Sequence, residues 1–404
     1  MKKLLGIVVL GLLVSLVTSQ AISAGCKIPK KPKEKIIEAP EAVLKKQKTP
    51  TTRLEKVLAN RRTINVFRAY AYHKRSSPNK YGLNWSETPI LPGPSNLSLM
   101  GIDWNYHYSN EPGALYPGLE PFITKKKWGH SAAYGKTVWV KYSHPEFADY
   151  FSNLVLEKAH GFDGVHLDWW HNNHETSKIK VKMARRKIAG AIRNKMGEEF
   201  IILGNVNWEG SRDTHDLING VNMELNKKHR GGYSCNQISK IEKLIKFHDQ
   251  NLSEPRIIAV DVWRITKKVP KELQKKLTLE LMGDERVMPK NFWKIRYRSS
   301  PENIQLAKLY TAMTMVIPEN GYILYADNNP DNPSGDHDHT YYDFYNTDLG
   351  KAISDGVEIT DGLAYKKYEK GLIAYNRTKF KYTIKFKDGK KVEVGPLEGV
   401  FVKD

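Results

Sequence analysis

Three observations in the 404-residue chain predict an α/β fold: a (β/α)8 TIM-type barrel with a small C-terminal antiparallel β domain. Segments with the two-residue period of strands alternate with segments carrying a helical stripe, the grammar of a parallel sheet. Several of the strand candidates begin apolar and finish in Asp, Glu or Asn, which describes a ring of polar groups at one end of a barrel. From residue 365 the grammar changes to short alternating segments separated by turns.

The chain opens with Lys2 and Lys3, an apolar run at 4–17 and small residues up to Ser23. The run is too short to span a bilayer comfortably, so residues 1–23 read as a cleavable export signal and the protein as periplasmic or secreted. Ser23-Ala24-Gly25-Cys26 has some likeness to a lipoprotein box, but Ser23 stands where an aliphatic residue is usual, which leaves lipidation of Cys26 as the minority reading. Residues 24–50 hold eight lysines and several prolines against three glutamates, a composition that predicts a basic disordered linker. The formal charge of +20 is otherwise spread along the chain. No helix-turn-helix, RNA-binding aromatic motif or zinc finger accompanies it, so nucleic acid is excluded as a partner. An anionic cell-envelope surface is the alternative to a merely solvated basic surface. Two cysteines, Cys26 and Cys235, do not make a disulfide scaffold, and a bridge would tie a tail to the body. Cys235 is therefore expected to be a free thiol.

The barrel is expected within residues 51–350. Strand candidates are 63–70 (T-I-N-V-F-R-A-Y), 97–104 and 137–142. Between the first two lies a Pro/Gly/Asn-rich connection, 76–94, with no helical pattern. A helix is predicted at 145–160, with Phe147, Phe151, Leu154 and Val155 as its stripe, and a Lys/Arg-rich one at 177–196. Further strands fall at 200–208, 221–226, 256–263 and 322–327, with a helix at 301–317 capped by Ser300. In the β domain, 351–404, alternation marks 371–376, 381–387, 391–394 and 399–402, with Asp388-Gly389 as a hairpin turn.

The chain is organised around 161–170, G-F-D-G-V-H-L-D-W-W. His166 and Asp168 share one face of its strand, and Trp169 and Trp170 follow at the rim. Glu224, between Met223 and Leu225, ends a later strand; Asp103, Asp261 and Asp327 end others, and Asn205 and Asn207 sit at the end of 200–208. A carboxylate at a barrel strand's end reads as catalytic, against the plainer reading of a buried Asp that closes a loop. Residues 327–340 are rich in Asp, Asn and Pro, and Asp327, Asp331, Asp336 and Asp338 could hold calcium. The spacing is not that of an EF-hand, and a solvated loop is the stronger reading.

The run His144-Pro145-Glu146-Phe147 followed by 161–168 resembles a pattern in bacterial TIM-barrel glycoside hydrolases related to the endo-α-1,4-polygalactosaminidases. The resemblance covers roughly residues 62–329, and only G-F-D-G-V-x-L-D is specific. His166 departs from the usual apolar residue there, and Trp169 from the commoner Asn. The resemblance implies that Asp168 matches the family's mid-chain catalytic Asp and Glu224 its later acidic residue. The expected activity is hydrolysis of an oligo- or polysaccharide by a carboxyl pair, with no cofactor and no resident metal. Apolar flanks assign Glu224 as the acid and leave Asp168 as nucleophile or base, and the roles are reversible. His166, Asn205 and Asn207 would bind hydroxyls. Asp103, Asp261 and Asp327 would line the cleft, and Trp139, Trp169, Trp170 or Trp208 would stack on sugar faces. The alternatives are a non-catalytic carbohydrate-binding barrel, or a cell-wall deacetylase or amidase using His337 and His339 beside Asp336 and Asp338.

Overall fold

The computed structural model describes residues 26–46, 49–69, 80–86, 96–103, 106–109, 117–128, 136–171, 177–208, 212–225, 231–265, 300–326 and 341–404. The expected export signal, Asp327, the Asp-rich loop 327–340 and its His337 and His339 lie outside the described residues.

Eight parallel strands form the barrel: β2 (Phe67–Arg68), β3 (Leu83–Ser86), β4 (Leu97–Asp103), β8 (Gly164–Asp168), β9 (Ile201–Asn205), β10 (Gly220–Leu225), β11 (Ile257–Trp263) and β12 (Asn320–Ala326). They neighbour one another in chain order, and a parallel bridge between Val66 and Ile323 joins the two ends. Alternation sorts each strand's side chains into two cores. Leu97, Leu99, Ile201, Leu203, Ile257 and Tyr322 fill the barrel, while Val165, Leu167, Met223, Leu225 and Val260 pack outward. The outer core is covered by α2 (Phe147–Lys158), α3 (Lys178–Met196), α4 (Cys235–Asn251) and α5 (Pro301–Val316). Ser177, Ser234 and Ser300 cap the last three, each accepting a backbone N–H from the third residue on. A short helix, α1 (Arg53–Ala59), starts from a Thr52–Glu55 capping box and pushes Leu54 and Val57 into the interior core.

Two expectations about strands are corrected. The connection 76–94 contains β3, whose apolar–polar alternation (L-N-W-S) is only four residues long and which is paired in parallel by β2 and β4. The candidate at 137–142 is not a barrel strand. β5 (Tyr106–Ser109), β6 (Ile123–Trp128) and β7 (Lys136–Val140) form a separate antiparallel sheet inserted after β4, with β7 central.

At the C-terminus, β13 (Val357–Thr360), β14 (Leu363–Tyr368), β15 (Gly371–Asn376) and β18 (Glu398–Lys403) make one antiparallel sheet. A second sheet contains β16 (Lys381–Lys385), β17 (Lys391–Val394) and β1 (Glu34–Glu38). The predicted turn at Asp388-Gly389 is present, with Gly389 at φ +86°. β1 corrects the expected disordered linker: it pairs in parallel with β16 over all five residues. Composition predicted too little apolar surface to fold alone, but an existing sheet edge supplies the backbone partners. Glu34 and Glu38 meet Lys381 and Lys385 there, and the Lys35 ammonium lies 3.9 Å from the Phe380 ring centre. The free-thiol expectation for Cys235 is also corrected. Cys26 is buried and bridges to Cys235 across 209 residues, at a Cα–Cα distance of 4.7 Å.

Candidate active site

Strand register builds the mouth. Asp103 pairs with Asp168, Asn205 with Asn222 and Glu224 with Asp261, so the polar strand ends gather at the carboxyl-terminal end of the barrel. Asp168 is buried and Glu224 half-buried. Between them stands Asn205, whose amide nitrogen lies 2.8 Å from Asp168 Oδ1 and 3.0 Å from Glu224 Oε2. The two carboxylate oxygens are therefore no farther apart than the sum of those distances. One amide thus holds the two carboxylates side by side across the mouth. Asp168 Oδ1 also accepts the Trp169 N–H at 2.9 Å.

The remaining residues singled out in the sequence divide. Asn207 sits at the rim, and its N–H donates to Asn205 Oδ1 at 3.3 Å. Trp169 is half-buried at the rim and stacks on His171 at 5.9 Å between ring centres. Both Trp169 and Asn207 have positive φ, +54° and +51°. Such backbone costs on the order of 1–3 kcal/mol and clusters at functional sites. Asp261 is fully buried, level with Glu224. Trp208 stands edge-on to Tyr233 and not on the bridged pair.

Three expectations about the cleft are corrected. Trp170 is no sugar platform: it is wholly buried, its indole packs on Gly204, where a Cβ would fall 2.6 Å from the ring, and its N–H donates to Thr214. His166 offers nothing to a hydroxyl at the surface. It lies one layer below Asp168, fully buried, stacked on Trp85 at 4.1 Å and 3.5 Å from the Asn222 amide. Trp139 belongs to the inserted sheet, paired with Tyr106, and not to a barrel strand. The argument from apolar flanks fails too, because Met223 and Leu225 point to the outer core and do not surround the Glu224 carboxyl.

Two residues that build the mouth were missed. Tyr233 donates its hydroxyl to Leu225 O at 2.6 Å and accepts the Trp263 N–H at 2.8 Å, pinning together the ends of β10 and β11. Burial pushes its phenol well up, so it stays protonated and keeps donating. No sequence signal marks it. His171, bonded to Asn205 and Asn207, could have been noticed as the residue that extends the W-W pair after Asp168.

A second concavity, about 940 Å³, opens at the opposite end beneath α1. Lys45, Arg61 and Lys366 alternate there with Glu55, Glu254 and Glu319, a mixed-charge lining without the bridged carboxylates of the mouth.

No protein-family model and no curated protein matches the chain. Among solved structures, the chain is similar to the glycoside hydrolase domain of PelA from Pseudomonas aeruginosa, at 11% identity over 54% of this chain and 89% of that one, with a TM-score of 0.37. It is also similar to Ega3 from Aspergillus fumigatus, solved in complex with galactosamine, at 12% identity over 55% and 88%, TM-score 0.36. A maltogenic α-amylase, AmyB from Thermotoga neapolitana, matches at 10% identity over 84% and 96%, TM-score 0.39. At these scores the likenesses assign no activity.

Proposed function

We propose that the mouth hydrolyses a glycosidic bond of an oligo- or polysaccharide, with retention of anomeric configuration. The observation that carries this reading is the single Asn205 amide that holds Asp168 and Glu224 at once. Two N–H donors on Asp168 Oδ1 favour its ionised form, which suits it to attack the anomeric carbon. Glu224, the more exposed of the two, gives its proton to the departing glycosidic oxygen. It then takes one from the water that cleaves the glycosyl ester at Asp168. The chemistry calls for no cofactor.

The proposal includes export. Lys2, Lys3 and the apolar run fit a signal segment, and a bridge between Cys26 and Cys235 fits an oxidising compartment. A charge of +20 suits a protein that works against an anionic envelope surface.

Asp168→Asn and Glu224→Gln keep the shape of the mouth. Each is expected to lower turnover of the cleaved glycan by about 10²–10⁴-fold or more while glycan binding persists. Proton NMR of the first-formed product is expected to show the substrate's own anomer. An inverted product would remove Asp168 from the nucleophile's role. Glycan binding by the parent protein without turnover would make the barrel a binding module.

A further inference from the structure

We propose that His171 is a positioning residue for the carboxyl pair, acting through Asn205; this rests on the glycosidase reading above. The bridging amide works in one sense only. Its nitrogen must face the pair, because its oxygen there would meet the acceptor-only Asp168 carboxylate and turn both N–H groups away from it. What fixes that sense is a ring of contacts on the rim. The Asn207 N–H donates to Asn205 Oδ1 at 3.3 Å and so holds the amide oxygen away from the carboxylates. Asn207 is in turn held by His171, whose Nε2 lies 2.9 Å from the Asn207 amide nitrogen. His171 closes the ring on the Asn205 carbonyl, which its backbone N–H and its Nδ1 both meet at 3.1 Å.

The chemistry of the partners assigns the imidazole. A carbonyl oxygen only accepts, so Nδ1 carries the hydrogen; in the neutral ring Nε2 is then an acceptor, matched to the Asn207 NH2. One side chain thus grips the main chain of the strand that carries the bridging amide and the side chain of the residue that orients it. The two positive-φ residues of the rim, Trp169 and Asn207, are both in contact with His171, by ring stacking and by hydrogen bond. Backbone held in that region persists only where its surroundings over-determine it, and His171 belongs to those surroundings at both positions.

His171→Ala is expected to lower kcat by about 10–100-fold, the scale of a misplaced catalytic group, with KM changed less than about twofold. His171→Asn sets an amide nitrogen where Nδ1 stood and is expected to restore a large part of the loss, which a generic packing role would not do. The two sites are also expected to be non-additive: in Asn205→Ala, adding His171→Ala costs no further rate. Independently of turnover, the side-chain NH2 of Asn205 in ¹⁵N–¹H spectra is expected to show two protected protons in the parent. His171→Ala would shift them and speed their exchange, and His171→Asn would not. An unchanged kcat and Asn205 signal in His171→Ala, no rescue by His171→Asn, or full additivity would each overturn the proposal. Absence of turnover in the parent would overturn the glycosidase reading instead, and the NMR result would still decide for or against His171.

Discussion

Lys366 on β14 is buried and donates to the Pro318 carbonyl at 2.7 Å. Burial, with Arg61 and Lys45 nearby, brings its amine down to about 7, against weaker support from Asp249 and Asp355. The sign of its effect on stability follows. Between about pH 7 and 10.5 the unfolded chain holds a proton that the folded protein does not, so stability rises with pH across that window. Below about pH 7 the folded protein carries the full cost of a buried charge. Lys366→Met removes that cost and leaves the Pro318 carbonyl short of one donor, a loss of about 1–3 kcal/mol. The variant's stability relative to the parent, read from urea midpoints, is expected to be highest below about pH 7 and to decline steadily from there toward pH 10. A difference independent of pH would mean that the amine is not desolvated in the folded state.

Among elements, α1 shows how the end opposite the mouth is closed. Asp163, in the turn before β8, accepts Arg53 Nε at 2.9 Å and the Ser98 N–H at 3.0 Å, so it ties the helix to β4 and β8. Arg53 is about half exposed, which weakens the ion pair. Asp163→Asn retains an acceptor for Ser98 and loses the charge facing Arg53. It is expected to lower stability by about 1 kcal/mol and to leave kcat unchanged. Thermal unfolding and turnover measured together test this; a normal melting temperature with lost activity would place the reacting groups at the wrong end of the barrel.

For the whole molecule, the joint between barrel and β domain turns on one carboxylate. Glu242 of α4 is fully buried, accepts the Tyr375 hydroxyl of β15 at 2.5 Å and is paired with Arg377, which follows that strand. Burial first, and then the Glu242 charge, push the Tyr375 phenol up, so it remains a donor. Gly399 of β18 lies against α5, where a Cβ would fall 2.1 Å from the Lys308 carbonyl, so the sheet seats flush on the helix. Glu242→Ala removes the acceptor of the Tyr375 hydroxyl and leaves the largely buried Arg377 guanidinium with Asp361 as its carboxylate partner. It is expected to cost about 1–3 kcal/mol, with Glu242→Gln milder, as read from denaturant unfolding. Equal stability in all three proteins would show that the sheet is held by apolar packing alone.

The chain itself determined what depends on local pattern. Apolar beginnings and polar ends of β8, β9, β10 and β11 are a two-residue period cut off at a barrel rim, and that period is written in consecutive residues. The same holds for the Ser300 cap of α5 and for the Asp388-Gly389 hairpin. Tertiary structure decided whatever depends on neighbours far apart in the chain. β1 has no persuasive pattern and becomes a strand because β16 presents it with partners, and β3, though it alternates, is too short to stand out without β2 and β4 beside it. Trp170 reads like Trp169, yet one indole is swallowed by the space above Gly204 while the other stays at the rim. The bridge between Cys26 and Cys235 needed a fold that brings two residues 209 positions apart within reach. The Asn205 amide is the sharpest case: its residue type was legible at a strand end, but its two carboxylates arrive on the strands to either side. Only lateral pairing of β8, β9 and β10 brings all three together, because register is fixed by burial of whole strand faces and not by any residue within the site.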